Sequence, residues 1–162
     1  MQSGIKLGFT YKDTDTPFKG AATVETEYKN GCIRIVIEPR ELKDGEPIKA
    51  HSFDYQQLEL VEGDPVRTGK IIRSKIPLDA IARDKVTGLQ GTVAAISTVL
   101  GGSPEIGIQP NALKPNGEVA DAKFFTEDRV EIVKPDKATP KEKKSTGGPQ
   151  TVVPPSTNDR PR

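Results

Sequence analysis

Asn30-Gly31-Cys32-Ile33-Arg34-Ile35-Val36-Ile37-Glu38-Pro39 decides how this chain is read. Ile33, Ile35 and Ile37 fall at every second position, the period of a strand with one buried face, and Asn30-Gly31 ahead of them can take the positive φ of a tight hairpin turn. Gly20–Tyr28, before the turn, is then the antiparallel partner strand. The same order returns at an offset of 71 residues, where Gly101-Gly102 precedes Ile106-Gly107-Ile108 and Pro110, with Gly91–Val99 as the partner.

Working outward, Ile5, Leu7, Asp13, Thr16 and Gly20 match Ile76, Leu78, Asp84, Thr87 and Gly91, and Pro39, Leu42 and Lys43 match Pro110, Leu113 and Lys114. After one inserted residue the offset becomes 72, and Gly45-Glu46, Ala50, Phe53, Glu59 and Val61 match Gly117-Glu118, Ala122, Phe125, Glu131 and Val133. Glycines, prolines and aliphatics repeated in one order mark a duplicated module. Asp44-Gly45 and Asn116-Gly117 supply a second turn, ahead of short strands ending at Phe53 and Phe125, both expected in the core. The polar quartets Asp54-Tyr55-Gln56-Gln57 and Thr126-Glu127-Asp128-Arg129 predict one helical turn each, before Leu58–Val61 and Val130–Val133 complete the sheet.

Five short strands with a helical turn before the last describe an SH3-like barrel, whose closure would remove exposed strand edges. The expected fold class is all-β: two tandem SH3-like small β-barrels with an extended C-terminal tail. The boundaries are 1–61 for the first module, 62–75 for a connector with Gly63, Pro65 and Gly69, 76–133 for the second module, and 134–162 for a proline-rich basic tail. Lys70-Ile71-Ile72 reads alternatively as a strand extension. The content of 15 Gly and 14 Pro, with no Trp, suits many short strands and turns.

A single cysteine, Cys32, excludes an intramolecular disulfide and a cysteine-based zinc site. The first residues lack the apolar run of a signal peptide, and no stretch is long enough to span a membrane as a helix, so no membrane partner is expected. The net charge of +1 hides an asymmetry: residues 134–162 carry seven Lys/Arg against three Asp/Glu, leaving residues 1–133 with 17 against 20. A slightly acidic body is a poor nucleic-acid surface, so any phosphate binding falls to the tail.

Catalytic chemistry has no evident place. His51 is the sole histidine, its counterpart is Lys123, and a solvated strand-edge position is expected for it. Cys32 and His51 form a nominal nucleophile–base pair, but Cys32 corresponds to Ser103 and no orienting third group is evident. Thr87-Gly88-Leu89-Gln90-Gly91 lacks the Lys-Ser/Thr ending of a phosphate loop and reads as a turn between strands. Asp13, Asp15, Glu25 and Glu27 could gather a hard cation, yet alternation at 25 and 27 reads better as a solvated strand face. The expectation is no catalytic, cofactor-binding or metal-binding residue, and no cofactor. Tyr11, Tyr28 and Tyr55 lack aromatic equivalents (Ala82, Val99 and Glu127) and are the expected partner contacts, together with Lys141, Lys143, Lys144, Val152 and Val153 in the tail.

Ala82-Arg83-Asp84-Lys85-Val86-Thr87-Gly88-Leu89-Gln90-Gly91, with Glu27-Tyr28-Lys29-Asn30-Gly31-Cys32 and Phe53-Asp54-Tyr55-Gln56-Gln57-Leu58-Glu59-Leu60-Val61, resembles a family of short proteins encoded by tailed bacteriophages and prophages, each like a single copy of this module. The resemblance covers both modules and not the tail. The first copy lacks the Thr-Gly step at Tyr11–Phe18, and the second has Val99-Leu100-Gly101-Gly102-Ser103 in place of the Tyr-x-Asn-Gly-Cys run. The family carries no catalytic motif, so the resemblance implies a phage origin and a small barrel rather than a reaction. The preferred expectation within that setting is a non-enzymatic structural or assembly protein, a capsid decoration or head–tail accessory in the virion, because a basic arm on a mildly acidic body suits a repetitive assembly. Its partners would be capsid or other virion subunits and copies of itself, with the tail as an interaction arm. The alternatives are an early host-takeover or anti-defence factor in the host cytoplasm that binds a host protein or signalling nucleotide, and nucleic-acid binding through the tail.

Overall fold

A computed structural model of the chain describes residues 3–134. The first copy comprises β1 (Thr10–Asp13), β2 (Lys19–Tyr28), β3 (Ile33–Glu38), β4 (Leu42–Lys43), β5 (Glu46–Pro47), β6 (His51–Asp54) and β7 (Leu58–Leu60). The second comprises β8 (Ile81–Asp84), β9 (Gln90–Val99), β10 (Glu105–Pro110), β11 (Lys123–Thr126) and β12 (Val130–Ile132). Single 3-10 turns at Tyr55–Gln57 and Glu127–Arg129 fall where the polar quartets predict them, the first held by a capping box between Asp54 and Gln57. β4 and β5 form a hairpin around Asp44-Gly45; the second copy keeps only a Leu113–Val119 bridge around Asn116-Gly117. Lys70-Ile71-Ile72 belongs to no strand.

Every pairing is antiparallel, and the described residues contain no α-helix, so the chain is all-β. The local strand order is β7-β1-β2-β3-β6 in the first copy and β12-β8-β9-β10-β11 in the second. The ladders do not close into a barrel: β6 pairs only with β3, and β7 only with β1.

The isoleucine alternation does what its period implies. Ile33, Ile35 and Ile37 are buried with Leu7, Tyr11, Ala22 and Leu100, while Ile106 and Ile108 are buried with Ile76, Ala82, Val93 and Val130. Phe53 and Phe125 pack against these clusters half-buried. Gly20 and Gly91 recur for a steric reason, because a Cβ there would run into the carbonyl oxygen of Glu38 or Gln109.

The two copies share one ten-stranded sheet, joined where β2 pairs with β9 from Val24↔Val99 to Tyr28↔Ala95. Each of these strands is ten residues long, and its ladder slips by one residue at an equivalent place. Thr23 is the extra residue between the Ala22↔Ile37 and Val24↔Val36 pairs, and Ala94 the extra residue between Val93↔Ile108 and Ala95↔Gly107. A bulge bends and twists its strand. Beyond the bulge, each strand keeps its own partner on one edge and gains the other copy on its second edge. The bulged carbonyls are used as well: Leu100 N–H donates to Thr23 O and Lys29 N–H to Ala94 O, both at 2.9 Å, which extends the seam at each end.

The symmetry is broken at one position. Leu100 comes from the second copy's hairpin but is buried in the first copy's core, whereas its equivalent Lys29 is exposed. The segment 62–75 lies along the first copy, with Val66 and Arg67 N–H donating to Gly8 O and Arg67 paired to Glu38 at 2.7 Å. It then meets the second copy's hairpin, where Gly101 N–H donates to Lys70 O.

Candidate interaction surfaces

The structure separates the residues of the nominal catalytic pair. His51 is exposed on β6, edge-on to Phe18 at 5.2 Å, and pairs with Ile37. Cys32 lies at the other end of that ladder, its Sγ 3.9 Å from Asp54 Oδ2. No group of three or more His, Cys, Asp or Glu side chains suited to a metal ion occurs among the described residues. No described helix is long and apolar enough to cross a membrane.

Two expectations are corrected. Tyr11 is not a surface contact: it is 4% exposed in the first core, and its Oη accepts from Lys6 N–H at 2.9 Å. The cause is β1, which pairs with β2 on one edge and β7 on the other and turns Tyr11 and Asp13 inward. Glu25 does not face solvent either, because the seam encloses it beside Thr98; it accepts from Arg73 Nη1 at 3.1 Å and from Ser3 Oγ. Tyr28 is half-buried at the end of β2, beside Asn30, Cys32 and Arg34, and Tyr55 is half-buried against the first core. Lys141, Lys143, Lys144, Val152 and Val153 lie outside the described residues.

The repeated Asp-x-x-Thr step is a buried carboxylate under a turn. Asp84 Oδ2 accepts from Thr87 N–H at 2.9 Å and from Thr87 Oγ1 at 2.5 Å. Arg129, closing the 3-10 turn, grips the same carboxylate in a fork: Nε to Oδ1 at 3.0 Å and Nη2 to Oδ2 at 2.9 Å. Its guanidinium also lies 5.1 Å from the centre of the Phe125 ring. The Arg129 fork holds the Asp84 carboxyl well below the usual carboxylate range, burial opposing and Thr87 assisting. A hydrogen bond from the Thr126 side chain lowers Asp128 next door.

The first copy repeats half of this. Asp13 Oδ2 accepts from Thr16 N–H at 2.9 Å and from Thr16 Oγ1 at 2.6 Å. Gln57 stands where Arg129 stands, and it is engaged elsewhere: its Nε2 donates to Asp15 at 3.4 Å and its Oε1 accepts from Asp54 N–H at 3.3 Å. Asp13 Oδ1 is buried with no hydrogen-bond partner.

The surface carries a second repeat. Leu42 is 66% exposed and its equivalent Leu113 is 63% exposed; Leu60 and its equivalent Ile132 are each 48% exposed. A lone exposed aliphatic needs no explanation. The two copies have diverged at Tyr11/Ala82, Gln57/Arg129 and Lys29/Leu100, yet both keep an apolar side chain in water at these two places. Leu42 and Leu113 stood among the matched residues of the repeat, but only the fold shows that they point away from the cores. No family model, curated protein or solved structure matches the chain.

Proposed function

We propose that this chain is a non-enzymatic binding protein that offers the same apolar contact twice from two SH3-like modules. Its setting, on this reading, is the particle of a tailed bacteriophage, as a capsid decoration or head–tail accessory protein. The observation that carries the binding function is that exposed aliphatics recur at equivalent places, Leu42 in the β4–β5 hairpin and Leu113 in its bridged counterpart, and Leu60 and Ile132 on the last strand of each copy. A particle lattice repeats its own surface, and two contacts fixed on one body raise the effective concentration of the second once the first is made. The SH3-like reading is supported by the strand order and by the 3-10 turn placed between the last two strands of each copy. The phage setting rests on the resemblance of the turn and hairpin motifs. The tail, with its surplus of four positive charges, would act as an arm onto a neighbouring subunit.

Quantitative mass spectrometry of density-purified particles against infected-cell lysate tests the setting. A fixed ratio to the major capsid protein is expected. Confinement to the lysate would remove the virion role and leave the host-factor reading.

A further inference from the structure

We propose that the first copy keeps a buried socket for a guanidinium group, filled by the arginine side chain of a partner. The second copy is the template. There Asp84, Thr87 and Phe125 form the carboxylate, the turn that orients it and the aromatic platform, and Arg129 fills the space between them with a forked pair at 2.9 and 3.0 Å. The first copy keeps the carboxylate and its turn as Asp13 and Thr16, with the same two hydrogen bonds from threonine to aspartate, and has Phe53 at the position of Phe125, its ring 5.4 Å from that of Phe18. It lacks the arginine.

Three observations point to a guanidinium rather than to a rearranged but complete site. Asp13 is 3% exposed, and its Oδ1, equivalent to the oxygen that receives Arg129 Nε, has no partner. A buried carboxylate oxygen left unpaired is costly, so the fold retains an interaction it does not itself complete. Gln57 does not substitute, since both ends of its amide are bonded to Asp15 and Asp54. The local charge has also changed. Asp13, Asp15 and Asp54 surround the first turn, whereas the second sets Lys85 and Arg129 beside Asp84 and Asp128. An acidic rim around an unpaired carboxylate selects a cation, and the template's planar fork selects guanidinium over ammonium. The socket stands independently of the phage setting, because a small guanidinium probes it directly.

The experiment is an NMR titration of the full chain with methylguanidinium, and with methylammonium at matched ionic strength, following the Thr16 and Thr87 amides. Methylguanidinium should move Thr16 saturably, leave Thr87 still, and act several-fold more strongly than methylammonium. Gln57→Arg, which supplies the missing fork in cis, should abolish the Thr16 response, and so should Asp13→Asn. Arg129→Ala should create a matching response at Thr87, showing that an emptied socket is detectable. No saturable response at Thr16, or an equal response to methylammonium, overturns the proposal.

Discussion

Thr26 and Ser97 occupy the same place in the two copies and bond to each other, hydroxyl to hydroxyl at 2.7 Å, across the seam. The offset of 71 residues carries one onto the other, and the register runs symmetrically to either side, Glu25↔Thr98 and Glu27↔Ile96. The seam is therefore a pseudo-two-fold axis inside one chain. Two modules of one architecture meet as two subunits of a dimer would, with the connector making the association unimolecular.

Both hydroxyls are buried, which gives the pair a measurable coupling. Thr26→Val leaves Ser97 without its partner and should cost about 1–3 kcal/mol, the usual penalty for an orphaned buried hydroxyl. Combining Thr26→Val with Ser97→Ala removes both ends and should cost less than the two single changes added together. Urea midpoints at constant m-value would measure this. Strict additivity would mean that the hydrogen bond contributes nothing to holding the copies together.

Leu100 makes the first core dependent on the second copy. Leu100→Ala empties a buried site among Leu7, Tyr11 and the isoleucines and should destabilise by roughly 2–5 kcal/mol. Amide exchange at Ile33 and Ile35 should accelerate even though the substitution lies in the other copy. For the same reason Ile35→Asp and Ile106→Asp, each burying an unpaired charge, should unfold both copies in one transition. If one copy stays protected while the other melts, the shared sheet does not couple them.

The strands that were legible in the sequence are those with an apolar period. Ile33, Ile35 and Ile37 declare a buried face, and the Asn30-Gly31 and Asp44-Gly45 turns declare where the chain reverses. β1 and β8 give no such signal, because their inward residues pair Tyr11 with Asp13 and Ala82 with Asp84, and a buried aspartate looks like a surface residue until its threonine and arginine are placed. Tyr11 reads as a surface contact because its counterpart is alanine; both are buried, and the difference is one of core volume. The seam is silent for another reason. Its buried side chains are Glu25, Thr26, Ala95, Ser97 and Thr98, four of the five polar, so no apolar period marks it. The repeated exposed aliphatics were visible as repeats but not as surface, since a strand tip and a core position look alike in sequence.

The Asp84–Arg129 pair gives the fold a defined acid response. Arg129 lowers the folded-state carboxyl below its unfolded value near 4, so in acid the unfolded chain takes up a proton that the folded chain refuses. The stability from this pair is present above about pH 4 and is lost as pH falls toward the depressed folded value. Arg129→Gln should lower the melting temperature at pH 7 and narrow the difference between pH 7 and pH 3, because Asp84 then titrates closer to its unfolded value. An unchanged difference would assign the acid sensitivity to other carboxylates.

The repeated surface makes the sharpest functional prediction. Leu42 and Leu113 lie in water, so Leu42→Asp and Leu113→Asp should leave the melting temperature within about 2 °C, surface changes being within about 0.5 kcal/mol of neutral. Binding should respond in a different pattern. If two equivalent contacts engage a repetitive partner together, either single change removes one contact along with the avidity between them, and the double change removes binding altogether. Particle-bound copies counted by mass spectrometry after complementation with each variant would read this directly. A single variant that binds like the original chain shows that the two leucines are not used together, because a body anchored at two equivalent points cannot lose one without losing most of its residence time.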